Sequence, residues 1–311
     1  MNDDIKKELN KIYKLTGIKL SIENEDEVSI SALKKISAAY KEKYSSANIL
    51  LNILNGIYPA KEQSHALQSL NIKPDTKMRL YLIYVPTKID ETIKKIITSL
   101  FPGRSSEYLC SLDSTHLCFL YLGEDNIAHP LLNVIETEGM TVAYIAYSDI
   151  FSDTSLLQKE YLDLRQALLI SGIFYSDKKI ISPNDLGTGE LIYNIPRPVC
   201  ENFLKRHFGG VIDDDSMQLA ATFLHHNLSI AETSRYMHMH RNTLVYRLEQ
   251  IEKKYGIDIK TFEGADIFNI AILITNFFRL KFLFCQEILA TNIFNHPLFE
   301  PDIRVITFKI I

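Results

Sequence analysis

The residues best equipped for chemistry stand in one stretch, residues 219–257, which reads LAATFLHHNLSIAETSRYMHMHRNTLVYRLEQIEKKYGI. Ser229 precedes Glu232 by three positions, the spacing of a capping box, and it opens a short helix predicted over residues 230–237. Met237-His-Met-His240 follows as a turn, and a second helix is predicted from Arg241 to Tyr255, capped by Gly256. Two short helices joined by three or four residues make a helix-turn-helix. At about 100° per residue, Leu244, Leu248 and Ile251 fall in one narrow stripe, with Met239 pointing the same way. Asn242, Tyr246 and Lys253 lie opposite, flanked by Thr243 and Gln250, while Arg241 and Arg247 border the stripe. Asn and Arg carry the donor and acceptor patterns that match base edges in the major groove. Flanking Arg, Lys and Tyr reach phosphates. His240, Arg241, Asn242, Thr243, Tyr246, Arg247 and Gln250 are therefore the candidate contacts to double-stranded DNA.

Charge supports this choice weakly. The 311-residue chain has a formal net charge of −4, so bulk positive charge does not draw it to nucleic acid. Residues 216–256 hold five Lys or Arg against three Glu, a local net of +2, which leaves −6 on the rest. Other constellations are poorer. Cys110, Cys118, Cys200 and Cys285 show no CxxC spacing and suit buried thiols in a reducing compartment. His225, His226, His238 and His240 could be drawn as a metal cluster, but without cysteines or carboxylates beside them they suit DNA-facing or capping roles better. Gly187-Thr-Gly-Glu190 lacks the lysine and strand context of a phosphate cradle and reads as a turn. No metal or cofactor is expected. The polar N-terminus and a longest C-terminal charge-free run of twelve residues, Ile267 to Phe278, give no secretion signal and no membrane span. The expected location is cytoplasmic.

The elements that must position this stretch follow from periodicity. Residues 1–70 read as helical, with Ile5, Leu9, Ile12 and Leu15 on one face of a helix that Gly17 ends. Ile18, Leu20 and Ile22 alternate as a short strand would, and residues 29–55 read as one long helix, a possible dimerising stalk. From Lys77 the pattern becomes strand 79–85, helix 89–100, strands 108–112 and 116–122 around Asp113-Ser-Thr115, helix 127–138 and strand 141–146. A helix over 155–170, with Leu156, Tyr161, Leu164, Ala167 and Leu168 turned inward, and a short strand at 179–181 complete it. The order β-α-β-β-α-β is that of a ferredoxin-like unit. Residues 183–215 read as a connector with one or two short helices, and Asp213-Asp-Asp215 would suit a helix N-terminus. A helix from Ala265 to about Leu289 precedes a tail, residues 291–311, that suits an extra strand or an unstructured end.

On these residues the chain resembles a known family. Met239-His-Arg-Asn-Thr-Leu-Val-Tyr-Arg-Leu248 is similar to the C-terminal helix-turn-helix of PucR/CdaR-type bacterial transcriptional regulators, itself Fis-like, and the likeness covers residues 219–274. Ser234 stands where the family prefers Ala, His238 where it often has Gly, and the chain beyond Phe278 departs from it. Upstream, Arg79 to Ile181 resembles the degenerate GGDEF-like domain of these regulators, best at Tyr161–Ala167 and Lys179–Ile181, and Tyr40-Lys-Glu-Lys-Tyr44 is similar to their helical lead-in. The resemblance implies control of a catabolic or transport operon in response to a small metabolite, such as a sugar diacid or a purine derivative. Active cyclases need a glycine pair and carboxylates in the central hairpin, and Leu112 to Leu117 offers only Asp113. Catalysis is therefore not expected, and a nucleotide-binding signalling protein or enzyme built on the cyclase-like domain is the alternative.

The expected architecture is α+β. It comprises helices over 1–70, a ferredoxin-like, degenerate cyclase-like domain over 71–182, the connector 183–215, an all-α helix-turn-helix domain over 216–290 and the tail 291–311. Its partners would be double-stranded DNA, a second copy of the chain, since one helix-turn-helix makes few base contacts, and an effector of unread identity, but no membrane.

Overall fold

A computed structural model describes residues 3–16, 20, 30–43, 45–101 and 107–291. The chain divides into two compact units, Met1–Leu169 with Asp177–Leu186, and Ile170–Ser176 with Gly187–Ile311.

The first unit opens with α1 (Asp3–Thr16) and α2 (Ile30–Lys43), which bury Ile5, Ile12 and Leu33 against each other. The long helix expected over 29–55 is two helices. α3 (Ser46–Leu54) begins afresh because Ser45 adopts an extended backbone and its hydroxyl accepts the Asn48 N–H at 3.2 Å, an N-cap inside the apolar pattern. Ile36 of α2 is exposed. The alternating segment at Ile18 to Ile22 lies outside the described residues except for Leu20, which is in no regular element, and Gly17 is outside them too. Pro59 starts α4 (Ala60–Ser69).

The sheet comes next, with β1 (Met78–Tyr84), α5 (Glu91–Leu100), β2 (Leu109–Ser111), β3 (His116–Leu122), α6 (Ala128–Glu138) and β4 (Tyr144–Tyr147). α7 (Leu157–Phe174) and β5 (Ile180–Ile181) follow. The strand order is β2-β3-β1-β4-β5. β1 pairs antiparallel with both β3 and β4, Tyr81 facing Phe119 on one side and Tyr147 on the other. This is the ferredoxin-like βαββαβ arrangement, extended by α7 and a two-residue strand parallel to β4. β1 reads as a continuous apolar run because both its faces are covered. Tyr81, Ile83 and Val85 pack with Ile93 and Ile97 of α5 and Leu131 and Ile135 of α6, while Leu80 and Leu82 on the other face are equally buried. The inward residues of α7 are Leu157, Tyr161, Leu164 and Ala167. Leu156 instead ends a 3-10 turn and is exposed, and Leu168 is half-buried.

At the β2–β3 hairpin, Asp113 Oδ1 accepts from the backbone N–H of Thr115 (2.6 Å) and of His116 (2.8 Å), and its Oδ2 lies 2.9 Å from His116 Nδ1. Partial burial works against the charged carboxylate, but these bonds outweigh it and hold Asp113 at about 2. The hairpin's acid is thus spent on its own turn.

The second unit contains α8 (Gly187–Asn194), α9 (Arg197–Phe208), α10 (Asp214–His225), α11 (Ile230–Tyr236), α12 (Arg241–Tyr255) and α13 (Phe262–Thr291). The glycine stretch 187–190, expected as a turn, begins α8, since Gly187 takes φ +49° and the chain then turns helical at once. Gly189 donates its N–H to Tyr175 Oη at 3.1 Å, and a Cβ there would stand 2.9 Å from that oxygen and 3.0 Å from the Phe174 ring. The tail 292–311 lies outside the described residues.

This close approach has a measurable cost. Gly189→Ala is expected to destabilise the protein by about 1–3 kcal/mol through overpacking, read as a lower urea midpoint at unchanged slope. A midpoint equal to wild type would mean that the aromatic pair yields freely.

Candidate nucleic-acid interface

The predicted helix-turn-helix forms, and its local chemistry explains each joint. Asp213 caps α10, its Oδ1 accepting the Ser216 N–H at 3.0 Å, so the acid run sits at a helix start as expected. α10 ends in a Schellman motif. Leu228 N–H returns to the Phe223 carbonyl and Asn227 N–H to that of Leu224, with Asn227 and Leu228 both left-handed. Ser229 Oγ then accepts the Glu232 N–H at 3.3 Å and starts α11. α11 ends the same way. Met239 N–H bonds the Ser234 carbonyl at 3.0 Å and His238 N–H that of Arg235 at 3.3 Å. His238 takes φ +51°, the conformation for which glycine is the easier residue. Ser234 is buried and donates its hydroxyl to the Ala231 carbonyl, so it fits the helix–helix contact.

α12 begins at Arg241, capped by His240, whose Nδ1 accepts the Asn242 N–H at 3.2 Å. Leu244 and Leu248 are fully buried and Ile251 nearly so. Arg241, Asn242, Thr243 and Gln250 are exposed, as are His240 and Tyr246, the tyrosine by 60%. Arg247 is half-buried. It lines a hollow of about 210 Å³ together with Asp215, Ser216 and Leu219 of α10 and Gln250, Ile251 and Lys254 of its own helix. Six of the seven candidate residues thus share open surface on or beside one helix, and Arg247 stands at its edge.

The far end of α12 is held by a contact with no local signal in the sequence. Asp213 Oδ2 accepts from Lys254 Nζ at 2.7 Å and from Tyr255 Oη at 2.6 Å. The Tyr255 ring packs edge-on against Phe208 and Phe268, at 5.2 and 6.2 Å between centroids. Desolvation raises the Asp213 carboxyl's pKa, but the bonds from Lys254, Tyr255 and Ser216 prevail and hold it well below the usual carboxylate range. The bond that Lys254 donates to Asp213, in turn, raises the pKa of its ammonium. The four histidines are not gathered. The His226 ring meets His225 edge-on and lies tilted against Tyr236, His240 caps α12, and among the described residues no three His, Cys, Asp or Glu are placed to hold a metal ion. No described helix is long and apolar enough to cross a membrane.

A buried leucine stripe, a left-handed turn and an outward face of Arg, Asn, Thr and Gln together define the DNA-binding module of a helix-turn-helix transcriptional regulator. Residues 217–274 match the PucR C-terminal helix-turn-helix domain. The chain is 40% identical over 43 residues to the uncharacterized protein YxkF of Bacillus subtilis (strain 168), 14% of each protein. It is 29% identical over 120 residues to the uncharacterized protein YsfB of the same organism, 38% of this chain and 32% of that one. The matched stretches thus span less than two thirds of either relative. A crystal structure of a regulator of polyketide synthase expression from Bifidobacterium adolescentis aligns over 76% of this chain and 92% of that one, with 14% identity and a TM-score of 0.35.

The Asp213 contact makes stability depend on acid. Its carboxyl lies lower in the folded state than the value of about 3.9 of an unfolded chain. Its contribution is therefore complete above that value and is lost progressively as pH falls from there through the lower folded-state value. Asp213→Asn is expected to lower the urea midpoint at pH 7, with the difference from wild type shrinking between about pH 5 and pH 2. A difference that persists undiminished at pH 2 would show that the charge is not what holds α12.

Proposed function

We propose that the chain binds a specific duplex site through α12, as a homodimer on two half-sites, and regulates transcription of a catabolic or transport operon in response to a small metabolite. The observation that carries the DNA reading is the division of α12. Leu244, Leu248 and Ile251 are consumed by the core, while Arg241, Asn242 and Thr243 have no core duty and project from the helix start. In this class of module the first turns of the second helix meet base edges. Asn242 offers a donor and an acceptor side by side, the pattern that pairs with adenine N6 and N7. Arg247, at the edge of the face, is assigned to a phosphate, and Tyr246 and Gln250 complete the contact surface.

Sensing is assigned to residues 1–182 and output to 216–290, with 183–215 as connector and 291–311 as an appended tail. The order of strands and helices over 78–181 supports reading the first unit as a degenerate cyclase-like domain. That Asp113 is bonded into its own hairpin supports a sensing rather than a catalytic role. On this reading the protein works in the cytoplasm, where its DNA is. Dimerisation follows from the small base contact of a single module. Sedimentation at micromolar concentration is expected to show twice the 35.7 kDa chain mass, and a monomer that binds one palindromic site at full affinity would refute the dimer.

The DNA reading is tested by binding selection on two variants. Asn242→Ala is expected to keep fold and non-specific binding, to weaken the specific site by about 1–3 kcal/mol and to relax preference at one base pair per half-site. Arg247→Ala should weaken all sequences alike and flatten the plot of log K against log salt by about one unit. An unchanged sequence preference removes Asn242 from the readout, and an unchanged slope removes Arg247 from the backbone.

A further inference from the structure

His240 combines two properties that the sequence does not reveal together. Its backbone is extended at φ −67° and ψ +142°, its carbonyl accepts the Leu244 N–H at 3.1 Å, and its Nδ1 accepts the Asn242 N–H at 3.2 Å. The donor in that last bond is a backbone amide, so Nδ1 must present a lone pair. A neutral imidazole carries a single proton, which is therefore on Nε2. A charged ring would turn a second N–H against that of Asn242 and lose the cap. The cap thus fixes the tautomer, and the ring of this exposed residue keeps one N–H donor at the start of α12.

We infer that His240 donates Nε2–H to a phosphate oxygen of the DNA backbone as an uncharged contact, an assignment that rests on the DNA reading above. Two arguments favour phosphate over a base edge. A hydrogen bond from a neutral donor to a charged acceptor is stronger than one to a neutral acceptor. The start of a 15-residue helix also carries the positive end of its dipole, which favours an anion there. His240 would then be a positioning residue. The cap orients the ring, the ring seats the helix start on the backbone, and Asn242 two residues on is brought to a defined height over the bases.

Because the donor is neutral, it displaces no counterion, and this separates it from Arg247. The test uses the full chain with two duplexes, one from the DNA upstream of its own gene and one of scrambled sequence. Ser and Asn both cap helices well, so His240→Ser and His240→Asn are expected to melt at the wild-type temperature. Each should lose about tenfold in affinity for both duplexes, the fold-change expected for a hydrogen bond to a charged group, with the salt slope of wild type. Wild-type affinity in both variants would leave His240 a cap only and overturn the proposal. Loss confined to the upstream duplex would move the contact to a base, and a flattened slope would show a charged ring; either result overturns it as well. Where wild type prefers the upstream duplex, these outcomes concern His240 alone. Failure of wild type to bind either duplex would instead overturn the DNA reading, and the donor role with it.

Discussion

The carboxylate of Asp213 holds together the two helix ends on which the DNA-binding module depends. It caps α10 through one oxygen and grips Lys254 and Tyr255 at the end of α12 through the other, across 41 and 42 residues of sequence. A helix packed only by a leucine stripe can roll about its axis, because apolar contact is not directional. Bonds of 2.6 and 2.7 Å to one carboxylate remove that freedom at the C-terminal end of α12. The Schellman turn and the His240 cap remove it at the other end. The polar face between is therefore presented at a fixed angle. The cost of this arrangement is borne by the turn residues. Asn227, Leu228 and His238 all occupy left-handed backbone that disfavours a side chain.

The first unit shows the opposite economy. Its sheet is buried on both faces, and its one hairpin acid is engaged by backbone amides and a histidine ring. The hairpin's turn is Asp113, Ser114 and Thr115, with no glycine among them. The strand order is ferredoxin-like, and the side chains at the hairpin serve the hairpin.

Much of this was legible in the sequence where the signal is local. The leucine stripe of α12, the Ser229 cap and the His240-Arg-Asn-Thr entry follow from periodicity and capping chemistry, and the helix bounds 241–255 agree with the structure. The strand predicted over 79–85 is likewise β1, one residue out of register at each end. Two kinds of feature escaped. The break at Ser45 lies within an apolar period that continues through it, so only the hydroxyl's choice of the Asn48 N–H decides it. The Asp213–Tyr255 contact joins residues with no period in common, and the acid run disclosed only a helix start. Gly187 to Glu190 was misread for a related reason. Glycine signals a turn, and Gly187 indeed takes a left-handed φ, but the packing of Gly189 on Tyr175 and Phe174 lets a helix begin at once.

The outer strands of the sheet are short. β2 has three residues and β5 two, on either side of longer central strands. An exposed strand edge is a template on which another chain can add its own backbone, and brevity is one of the ways proteins blunt it. Two or three residues offer too few amides and carbonyls for a second copy to extend the sheet into a continuous ladder. Self-assembly through this sheet is thereby turned away from strand addition, the open-ended route that leads to fibres.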